Sequence, residues 1–215
     1  MKRIPLFPLP GVVFFPGTLL PLHVFEPRYR AMVEDALAGN QLIGMALLTR
    51  DGTGSRAPGG APAIRTVGGA GMIVQHERLE DGRFNLVLEG TFRYRILREE
   101  PSKPYRVALV EESGVAPFED TAQERRAVEE VRGLFDALRT PMAIPPLPAE
   151  PVSAERLSGE LALRLQWSPE KLQDLLEESS LRARFDAIRA QLAEWTDLAE
   201  MLRPFRPSAV RPLDN

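Results

Sequence analysis

With 215 residues, 44% hydrophobic and 27% charged, the chain has an ordinary globular balance and enough length for one large domain or two small ones. A formal net charge of −3 provides no global basic field to draw nucleic acid. Having no cysteine, it can form no disulfide, thiolate nucleophile or cysteine metal site, which fits a reducing compartment.

The chain opens on "FPLPGVVFFPGTLLPLHVFEPRYRAMVEDAL", an apolar stretch broken by Pro8, Pro10, Pro16, Pro21 and Pro27. A secretion signal needs an unbroken apolar run and a small-residue cleavage site, and neither is present. No later stretch approaches the ~20 apolar residues of a membrane span. The expectation is a cytoplasmic protein whose N-terminus belongs to the fold. Proline lacks an N–H and fixes φ, so it suits edges and corners. "RIPLF", "GVVFFPG" and "TLLPLHVF" therefore read as short extended pieces joined by tight corners, with the prolines ending strand pairing. Adjacent residues of an extended chain point to opposite sides, so Phe14 and Phe15 can both be buried only where both sides are covered. Otherwise one ring stays exposed beside Pro16 and offers a peptide contact.

Pro27 suits the first turn of a helix. Tyr29, Met32, Val33, Ala36 and Leu37 then recur at helical spacing, and Gly39-Asn40 ends the run. "QLIGMALLTR" reads as a buried strand and "DGTGSRAPGGAP" as a loop. "GMIVQHERL", "EDG" and "RFNLVLEGTFRYRILR" predict a hairpin turning near Asp81-Gly82. In its second arm Phe84, Leu86, Leu88, Phe92, Tyr94 and Ile96 share one parity with Gly90, where the strand can bend. Asn85, Glu89, Arg93 and Arg95 take the other face. With "PYRVALVEE" these strands suggest a small, mostly antiparallel barrel.

Beyond "SGVAPFED" the pattern turns helical. Thr121 and Glu124 fit a capping box before Val128, Val131, Leu134, Phe135 and Leu138. "TPMAIPPLPAEPV" is a proline-rich connector. One helix follows Ser153, another starts at Ser168-Pro169, and the last carries Phe185, Ile188, Leu192, Trp195, Leu198 and Leu202 on one side up to Pro204. The expected organisation is a barrel over residues 1–117 with a helix near 27–38, a helical bundle over 118–204, and a loose tail over 205–215.

"PLFPLPGVVFFPGTLLPLHVFEPRYRAMVEDAL" closely resembles the opening of the N-terminal, substrate-binding domain of Lon proteases. "LEDGRFNLVLEGTFRYRI" and "PYRVALVE" look like that family's second signature, and "SPEKLQDLLEESSLRARFDAI" resembles its helical part more loosely. The resemblance implies an α+β fold, a PUA-like barrel followed by a helical bundle, which agrees with the periodicity. A Lon protease also carries an ATPase module with G-x-x-x-x-G-K-[ST] and a Ser–Lys peptidase dyad. Neither appears around Lys2, Lys103 or Lys171, the lysines of this chain. The chain thus looks like a stand-alone Lon-type N-terminal domain, expected to have no ATPase or peptidase activity.

Other candidate sites have simpler readings. His23 and Glu26 could form an acid–base pair or serve as metal ligands, but a carboxylate at a helix start is expected to cap it, with Glu26 also pairing with Arg28 and His23 packing nearby. His76, Glu77, Glu80 and Asp81 match no metal spacing and read as a solvated turn. Ser55 sits in a glycine loop without a framed base, and Gly68, Gly69 and Gly71 read as strand bends. Arg93, Arg95 and Arg98 form the best basic stripe, yet alternation separates them from Phe92, Tyr94 and Ile96, so a solvated outer face is expected.

The main functional expectation is a non-catalytic module that binds polypeptide, as unfolded substrate or protein partner. It would do so through a barrel–helix groove, with strand addition at an open edge as a second device. Phe14, Phe15, His23, Arg28 and Tyr29 are the candidate contacts. No cofactor or metal is expected, and neither nucleic acid nor a membrane is an expected partner. Two other classes stay open: an RNA-binding PUA-like module, which requires a basic groove, and an unrecognised hydrolase, which requires a nucleophile beside a base in a polar pocket. The client and the oligomeric state are not encoded in these motifs.

Overall fold

The computed structural model describes residues 1–49, 62–100, 103–148 and 152–202, with the side chains of 140–142 and 202 left aside. The glycine-rich loop, the end of the last helix at Pro204 and the tail fall outside this set, except for Pro62 at the loop's end. The elements in order are β1 (Lys2–Leu9), β2 (Leu19–Val24), α1 (Pro27–Ala38), β3 (Leu42–Leu47), β4 (Val67–Arg78), β5 (Phe84–Glu99), β6 (Arg106–Glu112), α2 (Thr121–Met142), α3 (Ala154–Arg164), α4 (Pro169–Glu177) and α5 (Leu181–Leu202). The fold is α+β, as expected, with a sheet that is antiparallel except where β1 pairs with β3.

The sheet order is β2-β5-β4-β3-β1-β6, and a further β5–β6 pairing closes five of the strands into a barrel. The sixteen-residue β5 makes closure possible. Its first half pairs with β2, its second half pairs with β6, and β4 runs beside both. Ile4, Leu6, Ala46, Ala70, Phe92, Tyr94, Ala108 and Val110 fill the interior. Tyr94 is fully buried there and its hydroxyl donates to the Met45 carbonyl at 2.8 Å, which satisfies the one polar atom of a large ring.

The prolines do less to end pairing than expected. Pro5 and Pro8 lie inside β1, yet β1 pairs with β6 over Lys2–Leu6 and with β3 over Leu6–Leu9. Each proline thus has a paired neighbour on one side only, and the missing N–H can face the other. Pro21 occupies the edge strand β2, and Pro27 starts α1. "GVVFFPG" is not a strand; it runs as irregular chain over the outside of the barrel wall, against Gly69 and Gly90.

That path covers Phe14 and Phe15 on opposite sides. The Phe14 ring joins the core beneath α1, with Met32, Val33, Met45 and Ile73. The Phe15 ring joins the helical core, with Leu157, Leu161 and Phe185. The backbone fits because the strands beneath it lack side chains. A Cβ built on Gly69 would lie 1.9 Å from the Phe14 carbonyl oxygen, and one on Gly90 would lie 2.2 Å from that of Phe15. The glycines read as strand bends are therefore also the floor of a channel.

Arg93 corrects the sequence reading. It lies on the face opposite Tyr94, but that face is covered by the helical bundle, so Arg93 is only 4% exposed. Its guanidinium donates to the Leu176, Glu177 and Glu178 carbonyls at 3.0, 3.1 and 2.8 Å, capping the end of α4. It also donates to the Ser113 carbonyl at 3.2 Å. Arg184, fully buried on α5, donates to Leu176 and Glu178 from the other side. A helix C-terminus leaves carbonyls without intrahelical partners, and two cations suit the negative end of its dipole.

Three helical details also differ. Asp120, rather than Thr121, caps α2, its Oδ1 accepting from Ala122 N–H at 2.9 Å. The helix continues through Pro141 into the connector, because proline in the last turn displaces few hydrogen bonds. Leu198 on α5 is 51% exposed, since the stripe outruns the bundle that covers Phe185, Ile188 and Leu192. Ser153 and Ser168 cap α3 and α4 as expected, accepting from Arg156 and Lys171 N–H.

The channel gives a stability test. Gly69→Ala should lower the unfolding free energy by about 2–3 kcal/mol in urea titration, because backbone must move to admit the methyl. Gly133→Ala, in open space on α2, should instead raise it by about 0.5–1 kcal/mol.

Candidate functional site

Beyond the barrel, β2, the first half of β5 and the second half of β4 continue as a three-stranded antiparallel sheet. Alternation gives it two faces. The inner face, with Val24, Ile73, Phe84, Leu86 and Leu88, packs on Tyr29, Met32, Val33 and Ala36 of α1. The outer face has no element packed on it among the described residues.

Register sets the rows of that outer face. Leu19 lies opposite Glu89, which lies opposite Met72; Pro21 lies opposite Val87, which lies opposite Gln75; His23 lies opposite Asn85, which lies opposite Glu77. A bulge between Ile73 and Gln75 pushes Val74 outward. Leu19, Val74 and Met72 are 61%, 50% and 41% exposed, and Phe25, just past β2, is 60% exposed. Leu19, Met72 and Val74 thus make one end of the face largely apolar around Glu89, while Phe25 lies at the other end beside His23. Pro21, His23, Gln75, Glu77, Asn85 and Val87 line a hollow of about 400 Å³ beside the apolar end.

The other end is polar and ordered by hydrogen bonds. Arg83 Nη1 lies 3.3 Å from His23 Nε2, and His23 Nδ1 lies 2.7 Å from Asn85 Oδ1. A guanidinium only donates, so Nε2 accepts and the proton sits on Nδ1. Asn85 Nδ2 donates onward to Glu77 at 3.3 Å. The chain of bonds fixes the His23 ring, which also stacks on Phe25 at 6.2 Å. With both ring nitrogens engaged, His23 is held as a structural group of this face.

A second cleft, of about 420 Å³, opens where the end of β1, the start of α1 and the β5–β6 connection meet. Pro8, Pro10, Pro62, Pro104, Tyr29 and Tyr105 contribute to its wall. Glu26 is the N-cap residue of α1, but its side chain makes no cap bond. It takes Arg28 instead, at 2.8 Å, and Arg28 lies over the Tyr29 ring at 4.5 Å. Arg106 and Glu99 form a two-bonded pair at 2.7 and 2.8 Å with both side chains largely buried. The Tyr105 hydroxyl donates to Asp35 at 2.5 Å, and Lys103 pairs with the same carboxylate at 3.0 Å. Burial raises the Tyr29 phenol above its ordinary value; burial and the Asp35 bond raise that of Tyr105. Both phenols keep their protons at neutral pH and can act as donors, not as bases. The charges of this cleft are matched within the protein.

Of the residues singled out from sequence, Phe14 and Phe15 are 2% and 1% exposed, so their rings serve the two cores and present nothing to a partner. His23 belongs to the outer sheet face, while Arg28 and Tyr29 belong to the second cleft. The structure does not bring the five together. The arginine stripe dissolves: Arg93 is buried, Arg95 is exposed, and exposed Arg98 pairs with Glu100. His76, Glu77, Glu80 and Asp81 do not converge, and among the described residues no three potential ligands gather for a metal. Sequence reasoning missed Leu19, Met72, Val74 and Val87. The signal was available in "GMIVQ", where consecutive apolar residues break the alternation of a half-solvated strand. No helix among the described residues is long and apolar enough to cross a membrane.

Comparison with known proteins places this geometry in a family. Residues 3–194 match the family model of the ATP-dependent protease La (LON) substrate-binding domain. The Lon protease of Anaeromyxobacter dehalogenans is 28% identical over 192 residues, covering 86% of this chain and 22% of that protein. The Lon protease of Dictyoglomus thermophilum is 26% identical over 211 residues, covering 92% and 25%. The chain therefore spans about a quarter of the length of these relatives. Two solved structures share the fold. One is a Lon N-terminal domain protein from Xanthomonas campestris (TM-score 0.63, 23% identity, 88% of this chain and 98% of that one). The other is the N-terminal domain of Mycobacterium avium complex Lon protease (TM-score 0.68, 18% identity, 90% and 99%).

The second cleft yields a titration test. The Tyr105 hydrogen bond is the largest influence holding the Asp35 carboxyl below its ordinary value, ahead of Lys103. In Tyr105→Phe the Asp35 carboxyl should titrate at higher pH than in the parent, followed by its NMR side-chain carbon shift. An unchanged titration would show that the bond does not hold in solution.

Proposed function

The chain belongs to the LON substrate-binding domain family, and from that premise we propose that it recognises unfolded polypeptide on the outer face of the β2–β5–β4 sheet. The observation that carries the reading is the cluster of Leu19, Met72 and Val74, each 41–61% exposed, on one face beside a hollow. Soluble proteins expose single apolar residues routinely, whereas a contiguous apolar patch marks an interaction surface. Unfolded chains differ from folded ones in offering apolar side chains and unpaired backbone together. The face supplies a counterpart to both. Its stripe can cover apolar side chains, and β2 is an edge strand bearing Pro21, with no strand on its far side among the described residues. Backbone pairing gives affinity that is tolerant of sequence, while the stripe selects for apolar residues.

The alternatives find less support. RNA binding requires clustered cations beside stacking rings. Arg93 is buried under the bundle, and the sheet face bears Glu77 and Glu89. The cleft at Arg28 and Tyr29 has the barrel–helix placement expected from sequence, but its Arg28–Glu26 and Arg106–Glu99 pairs are mutually satisfied. Hydrolysis requires a nucleophile in reach of a base, and the phenols of that cleft hold their protons.

Binding of a fluorescein-labelled, unfolded casein followed by anisotropy tests the reading. Met72→Ser and Val74→Ser should each weaken binding by about five-fold, the loss expected from roughly 40 Å² of apolar contact. Their thermal unfolding should stay near that of the parent, since both positions are exposed. Undiminished casein binding by the Met72→Ser/Val74→Ser double variant would overturn the proposal, as would retention of RNA in place of casein.

A further inference from the structure

The outer sheet face carries two carboxylates that no cation of the described chain neutralises. Glu89 and Glu77 are both exposed. The Glu89 side chain has no ion pair or hydrogen bond among the described residues. Glu77 has no ion pair and only accepts from Asn85 Nδ2 at 3.3 Å. Several other carboxylates around the barrel are matched, Glu112 with Lys2, Glu34 with Arg78, Asp81 with Arg83 and Asp35 with Lys103, while Glu80 and Glu111, away from the apolar stripe, also have no ion pair among the described residues. Arg83, the cation nearest this face by register, is engaged by Asp81 at 2.5 Å and by His23.

Their placement is not random with respect to the apolar stripe. Glu89 stands in the row of Leu19 and Met72, at the apolar end; Glu77 stands in the row of His23 and Asn85, at the polar end. The rows of Glu89 and Asn85 are four residues apart along β5, about 13 Å at the rise of an extended strand. Between them lie Val87, Pro21 and the bulged Val74. In an extended ligand, residues i, i+2 and i+4 face the same way and cover the same distance.

Resting on the reading of this face as a polypeptide site, we propose that its preferred ligand is an apolar segment bracketed by basic residues, with two cations four positions apart. A lysine or arginine at position i meets Glu89, one at i+4 meets Glu77, and the apolar residue between them covers Val87 and Pro21. Charge complementarity of this kind selects among sequences that an apolar stripe alone treats alike. The same two carboxylates repel nucleic acid, anionic lipid and acidic segments.

Three labelled decapeptides sharing Gly-Ser flanks, with centres KLVLK, QLVLQ and ELVLE, test this by anisotropy at low ionic strength. The lysine peptide should bind about three- to ten-fold more tightly than the glutamine peptide, and the glutamate peptide should bind least. The lysine preference should vanish in the Glu77→Gln/Glu89→Gln double variant and shrink at about 0.5 M salt. Equal binding of all three by the parent overturns the charge inference, as does a lysine preference that survives in the double variant. If the three bind equally and Met72→Ser abolishes them all, the polypeptide site stands and only its charge selectivity is lost. If none binds, both proposals fall.

Discussion

The seating of Phe14 and Phe15 against the outside of the barrel wall is the contact on which the rest of the structure depends. Two adjacent aromatic rings leave the backbone on opposite sides and enter two different cores, one beneath α1 and one inside the helical bundle. A chain can lie this close to strands only where the strands have no Cβ, and Gly69 and Gly90 provide that floor. The helical side makes the matching concession. A Cβ on Gly159 of α3 would sit 2.7 Å from that of Phe15, so the helix too approaches at a glycine. Sheet, irregular segment and bundle are thereby locked in one arrangement, and neither core is complete without the segment.

Arg93 and Arg184 fasten the same junction with polar chemistry. Both are buried, and both aim at the carbonyls that end α4. Burial lowers the Arg93 guanidinium below its ordinary value and brings that of Arg184 down to about 10, yet both remain charged at neutral pH. Their acceptors are backbone oxygens at a helix C-terminus, where a cation meets several partial charges at once. A bundle seated this firmly on one side of the barrel leaves the β2–β5–β4 extension free on its other side. The open face is thus a by-product of where the helices dock.

Two surfaces then differ in how their charge is arranged. The cleft at Tyr29 holds ion pairs that close on each other. The sheet face has apolar side chains without cover and, among the described residues, carboxylates without cations. Binding to the first would have to break pairs already made, whereas binding to the second completes interactions the chain leaves open. That asymmetry in desolvation cost is what favours the sheet face over the cleft in the proposed reading.

Local sequence determined the elements and much of the fold class. Proline at the start of α1, serine caps on α3 and α4, the hairpin at Asp81-Gly82 and the long alternating β5 all follow from short-range chemistry acting on neighbouring residues. The family likeness was legible for the same reason, since its motifs are contiguous. Which face of a strand is covered was not legible. Alternation assigns Arg93 and Tyr94 to opposite sides, but only the docking of α4 makes the arginine's side an interior one. The fate of Phe14 and Phe15 was equally open, because burial on both sides needs a bundle some 140 residues further along the chain, at Leu157 and Leu161. The apolar outer face at Leu19, Met72 and Val74 came into being only when register aligned residues from three strands. Periodicity reports where side chains point relative to their own backbone; what they meet there is set by long-range packing, and that was decided by the tertiary structure alone.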